Sequence, residues 1–399
     1  MGLGHRTSTA AVLFVDDDGW AAFDQAASAL RRRGVRAIRV THAPPPPLRR
    51  VLKEPYLRWF ADRLFYDEVV VLDSLTGRRR LAELAAGGEI ADAIIAEPTL
   101  IKIGLHSDDG ALLIAHSLAF RGTAPDRLLN KYEVNEALEA VGVPVPMQIS
   151  AEACAPTEAV ARLGLPIILK NPIGAAGYGV RLVQTMEDLV PAVASLMRSG
   201  QRPFYQQYID GSVIMYAAVI GADGKPLIEH GFRVEQSQSR LGPSAAVSLC
   251  DRSDLIELGR RATDLFNQRG FVAFGFIETP GGHLFHIDAN IRVWGNVASP
   301  LKLGINYLGA YASMVREESW ASLEARDWKS QPLRVYPYAL FEAARSGSLR
   351  EIAAHVADFL KVCHSPLGSR YCLQALGQAA LLSRRRGSGY RLSRPGTRN

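Results

Sequence analysis

Apolar residues near the N-terminus come in short bursts, each closed by charge, glycine or proline. AVLFV (11–15) is cut off by Asp16-Asp17-Asp18, and apolar positions then recur three and four apart at Trp20, Phe23, Ala26, Ala27 and Leu30. That spacing predicts a strand followed by a helix with one buried face, running to Arg33 and ended by Gly34. VRAIRV follows as a second strand, and a β-α-β order implies a parallel sheet. Pro44 to Pro47 forbid regular structure. EVVVLDS (68–74) reads as a third strand and AIIAEP (93–98) as a fourth. The chain to about residue 122 is therefore expected to be a Rossmann-like α/β unit. GxGxxG does not follow its first strand, so dinucleotide binding is not inferred.

Near residue 123 the pattern changes. Asn130 and Glu133 fit a helix N-cap and its capping-box partner; Leu129, Val134, Ala137, Leu138 and Val141 supply an apolar face, and Gly142 with VPVP stops it. Hairpins then mix with helices to about residue 312, an α+β pattern, and residues 330–383 read as mainly helical. The expected organisation is an α/β domain over 1–122, a mixed domain over 123–320, a helical extension over 321–383 and a basic tail over 384–399.

Composition narrows the function classes. With 48% hydrophobic and 22% charged residues in 399, disorder is excluded as the main state. The net charge of +6 is carried by the last sixteen residues, which hold six arginines and no acid, so the remainder is near neutral and shows no basic groove. The runs Arg31–Arg33 and Arg78–Arg80 lack interleaved aromatics, and a nucleic-acid partner is not expected. Four scattered cysteines without metal spacing point to reduced thiols in the cytoplasm. No apolar run reaches the length of a membrane span, and the N-terminal stretch is unlike a signal peptide. HExxH and GxSxG are both absent, which argues against zinc and serine hydrolysis.

Three stretches carry chemistry. In FHIDANIRV (285–293) strict alternation would put His286, Asp288, Asn290 and Arg292 on one face. Asp and Asn oxygens suit Mg²⁺, and an arginine suits phosphate; an exposed polar strand face would look the same. In LPIILKNPIGAAGYGV (165–180) an apolar strand ends in Lys170 and enters a loop with Gly174, Gly177 and Gly179, where backbone can approach phosphate oxygens. PFYQQYIDGS (203–212) is a half-buried strand running into a turn.

In this order the stretches resemble the ATP-grasp superfamily over about residues 123–315. The helix with Lys131 followed by GVPVP, the strand–Lys–glycine loop, QQYIDG, RLGPSAAVS (240–248) and IDANIRVWGN (287–296) each have a counterpart there. Trp294-Gly295 points to the branch resembling the carbamoyl-phosphate-synthase large subunit. The resemblance implies an ATP-grasp body with a movable lid and a ligase that joins a carboxylate to an amine through an acyl phosphate. It implies that Lys131 and Lys170 contact ATP phosphates under a lid spanning Gly174–Gly179, and that Gln207, Tyr208 and Ile209 hold adenine. Asp288 and Asn290 would ligate Mg²⁺ (or Mn²⁺), Arg292 would face the transferred phosphate, and Arg233 would lie on the substrate side. The partners implied are small carboxylates and amines. Three positions depart from the family pattern: Gly275 stands where an acid is usual, Asp288 replaces Glu, and Val213-Ile214 replaces a ribose-binding acid. Glu278 could serve as a metal ligand only if a bulge brought it to the right face. A small-molecule kinase, a nucleotide sensor without turnover, and a tail-driven nucleic-acid or membrane adaptor are the alternatives.

Overall fold

The computed structural model describes residues 10–17, 20–42, 62–174, 179–198, 200–237, 244–321, 332–336, 339, 343, 350 and 353–355. The basic tail, the loop glycine Gly177 and most of residues 330–383 lie outside these.

The four expected N-terminal strands form: β1 (Ala11–Val15), β2 (Arg36–Thr41), β3 (Glu68–Val71) and β4 (Ile90–Ile95), all parallel, in the order β3-β2-β1-β4. β3 stops at Val71, short of residue 74, and β4 lies three residues earlier than expected because Glu97 begins a helix. Helix Ala21–Arg31 buries Phe23, Ala26, Ala27 and Leu30 against them. Asn130 caps helix Lys131–Ala140, its Oδ1 accepting from the Tyr132 N–H while its Nδ2 donates to Glu133.

Two antiparallel sheets follow. The smaller contains β5 (Gln148–Ser150), β6 (Ile167–Lys170), β7 (Val180–Val183) and β8 (Phe204–Gln207), in the order β5-β8-β6-β7. The larger contains β9 (Ser212–Ile220), β10 (Pro226–Ser237), β11 (Ser244–Cys250), β12 (Gly270–Glu278), β13 (Leu284–Asn290) and β14 (Leu333–Arg334), in the order β13-β12-β9-β10-β11-β14. β14 is a two-residue strand within a range read as mainly helical: its residues pair with Ala246 and Val247, and Leu333 closes the edge of the core.

The parallel sheet and the larger antiparallel sheet share two cores, one on each side, whereas the smaller sheet has its own around Ile149, Ile167, Leu169 and Tyr205. Helix Ser253–Leu265 comes so close to β9 that a Cβ on Gly259 would sit 2.2 Å from the Tyr216 ring, which only glycine permits. Among the described residues no helix is long and apolar enough to cross a membrane.

Candidate active site

β13 is the edge of the larger sheet, and its pairing with β12 is not regular. Gly275 lies opposite Asp288 but the next residue, Phe276, lies opposite His286, so Ile287 is an extra residue on β13. A bulge of this kind shifts the side-chain alternation by one. Leu284 and His286 face the core before it; Ala289 and Ile291 do so after it. Strict alternation through 285–293 is thereby corrected. His286 leaves the polar face and packs edge-on to Phe274 and Phe276, 1% exposed. Asp288 and Asn290 stay together on the opposite face, with Asn290 Nδ2 donating to Asp288 Oδ2 over 3.2 Å.

Both predicted lysines reach this strand. Lys131 ion-pairs with Asp288 through Oδ1. Its backbone N–H donates to the Pro172 carbonyl at 2.8 Å, which ties the start of its helix to the glycine loop. Lys170, at the end of β6, is buried and donates to the Ile287 carbonyl over 3.1 Å. Burial, with Lys131 adding to it, pushes the Lys170 amine down to about 8, while Asp288 opposes the shift. Burial alone would raise the Asp288 carboxyl, but Lys131 and Lys170 hold it below the usual carboxylate range. Gly174 lines the same cavity together with Lys131, Asp288, Leu128 and Glu97. Gly179 takes φ +84° and packs against Asn171, where a Cβ would meet the side chain at 2.8 Å.

The structure does not bring every candidate here. Arg292 is 6% exposed, its Nε bonded to Glu97 at 2.6 Å and its guanidinium 3.8 Å from the centre of the Trp20 ring. It therefore joins the chain just beyond β13 to the first turn of helix Glu97–Ile103. Arg233 and Glu278 ion-pair with each other, and Arg252 takes the other Glu278 oxygen. The bulge is on β13, not β12, so Glu278 stays opposite Leu284 and away from Asp288. Hydrogen bonding to Arg233, against the opposing effect of burial, holds the Glu278 carboxyl below its ordinary value. Gln207, Tyr208 and Ile209 follow at the end of β8, where the chain crosses between the two antiparallel sheets; the Gln207 N–H donates to Met147 O at 2.8 Å and the Tyr208 hydroxyl to Asp210 at 2.9 Å.

Sequence reasoning missed Glu97, Trp20 and a buried relay. An acid in the first turn after a parallel strand was the available signal for Glu97, since ligands gather beyond the carboxyl ends of such strands. The relay runs from the Tyr132 carbonyl, which can only accept, to Gln148 Nε2 at 2.8 Å; Gln148 Oε1 accepts from Asn135 Nδ2 at 3.0 Å, and Asn135 Oδ1 faces His286 Nδ1 at 2.9 Å. Each orientation follows from the one before, so His286 carries its proton on Nδ1. Burial pushes this imidazole down to about 3, which keeps it neutral.

No family model matches the chain. A D-alanine–D-alanine ligase of Actinobacillus pleuropneumoniae is 24% identical over 175 residues, 41% of this chain and 57% of that ligase. The chain thus spans about half the length of this curated relative. Among solved structures, the biotin carboxylase domain of a 2-oxoglutarate carboxylase from Hydrogenobacter thermophilus, in complex with MgADP and bicarbonate, aligns with a TM-score of 0.59 at 14% identity, over 81% of this chain and 72% of that one. N5-carboxyaminoimidazole synthetase from Staphylococcus aureus, complexed with ADP, aligns at 0.56 with 13% identity, over 78% and 79%. These likenesses, each over more than three quarters of the chain, give it the ATP-grasp fold.

Proposed function

We propose that the protein is an ATP- and Mg²⁺-dependent ligase that joins a carboxylate to an amine or similar nucleophile. The observation that carries this reading is the convergence of Lys131, Lys170, Asp288 and Asn290 on one bulged strand beside Gly174. The set fits a metal–polyphosphate unit. Asp288 and Asn290 offer hard oxygens to Mg²⁺, and the two amines offer charge to phosphate. When bound, the cation would offset charge on the polyphosphate.

In the proposed reaction a substrate carboxylate oxygen attacks the terminal phosphorus of ATP and ADP leaves. The amine then attacks the acyl carbon, loses its proton and expels phosphate. The chain's own groups bind and orient, and no protein nucleophile is required. Lys170 is buried at the end of β6, so its charge acts in a low dielectric. Gly174 lines the cavity, and the glycine segment it opens is proposed to keep water from the acyl phosphate.

The test is trapping. The protein is incubated with Mg-ATP, hydroxylamine and single carboxylates, beginning with D- and L-amino acids because a D-alanine–D-alanine ligase is among the relatives. A ligase yields a hydroxamate with ADP and phosphate in equal amounts. A stable phosphorylated product without hydroxamate would replace this reading with a kinase.

A further inference from the structure

We infer that the site holds a single divalent cation with its nucleotide, the Lys131 ammonium standing where a second cation would need carboxylate oxygens. The inference rests on the nucleotide reading above and deepens it. Nucleotide-using sites take one or two divalent ions, and the number follows from how many hard anionic oxygens the protein adds to those of the phosphates.

Four carboxylate oxygens approach this cavity from Asp288 and Glu97. Arg292 donates to one Glu97 oxygen at 2.6 Å and offsets its charge, which leaves Asp288 as the carboxylate not held by a guanidinium. One oxygen of Asp288 is taken by Lys131 and the other accepts from Asn290. Glu278 adds nothing, because two arginines hold its two oxygens at the far end of the hairpin. Among the described residues no three His, Cys, Asp or Glu side chains gather as a metal site.

The decisive position is Gly275. It faces Asp288 across the strand pair, and a Cβ there would lie 3.7 Å from the Asp288 Cβ, in ordinary contact. A side chain at 275 would therefore share the face of Asp288 without strain, and glycine contributes no oxygen. Two ammonium groups, Lys131 and Lys170, surround the one carboxylate that remains. A second dication would meet like charge with no anion of the protein to offset it.

The full chain is saturated with ADP and titrated with Mn²⁺, and the bound ion is counted by the electron paramagnetic resonance of the free ion. The expected count is one per chain. Gly275→Asp should raise it to two, because it adds a carboxylate beside Asp288; Gly275→Asn, of the same size without charge, should leave it at one. A count of two in the unaltered chain overturns the inference, as does a count of none with ADP bound. So does a Gly275→Asp protein that melts like the unaltered chain and still binds one ion. The count in the unaltered chain decides the matter by itself if the variant does not fold. Calorimetry with ADP alone separates the two levels: without ADP binding, the nucleotide reading falls and this inference with it.

Discussion

The two ends of the β12–β13 hairpin each hold a carboxylate against cations, and they use different cations. At one end Glu278, whose side chain is 14% exposed, is gripped by two guanidinium groups. At the other, Asp288, 41% exposed, meets an ammonium from the first residue of a helix. Arginine forks fix a carboxylate in place, while an ammonium is a point charge on a flexible stem that can exchange partners. The Glu278 end is held by two forks; the Asp288 end is the one that a bound nucleotide is proposed to rearrange. The bulge at Ile287 separates the two ends, because it turns the polar face of β13 away from that of β12's last residues.

The strongest way to break the comparison is Asp288→Asn. It should lower turnover by about 10²–10³-fold while the melting temperature changes little, since the residue faces away from the core. Normal turnover in a well-folded variant would remove Asp288 from the chemistry.

Lys170→Met should weaken ADP binding by about 1.5–3 kcal/mol, read by calorimetry. The same variant sharpens the electrostatics. The folded Lys170 amine, at about 8, lies below its unfolded value. Its contribution to stability is thus fully present only above the unfolded value and is lost as pH falls through about 8. Lys170→Met should therefore be more stable than the unaltered chain at pH 7, and the advantage should shrink as pH rises above 8. An advantage independent of pH would refute the buried ammonium.

The smallest effect belongs to the other end. Glu278→Gln should cost about 1–2 kcal/mol of stability, because it leaves two arginines facing each other, partly solvated. ADP affinity should not change. A loss of ADP affinity comparable to that of Lys170→Met would erase the distinction between the ends.

What could be read from the chain was what depends on neighbours in sequence. The Asn130–Glu133 cap, the Lys170 strand end and the four parallel strands all rest on spacings of a few residues, and they appear, the fourth strand three residues earlier than read. The bulge could not be read, because an extra residue is defined only against the partner strand, and FHIDANIRV alternates perfectly by itself. Arg292 fits a phosphate-facing role as a residue type on that strand, yet its partner Glu97 is 195 positions away. Glu278 was a candidate metal ligand on condition of a bulge; the bulge fell on the opposite strand, and Glu278 stays between two arginines away from Asp288.

The relay from Tyr132 to His286 has a direction, like a diode. It begins at a carbonyl that can only accept, and each amide in turn has one admissible orientation. It also crosses three parts of the molecule: Gln148 belongs to the smaller sheet, Asn135 to the helix that begins with Lys131, and His286 to the strand that carries Asp288. Sliding either sheet along that helix would break these hydrogen bonds and leave the buried His286 Nδ1–H without its acceptor. The smaller sheet is thus moored at this corner through Gln148, on the strand at its edge.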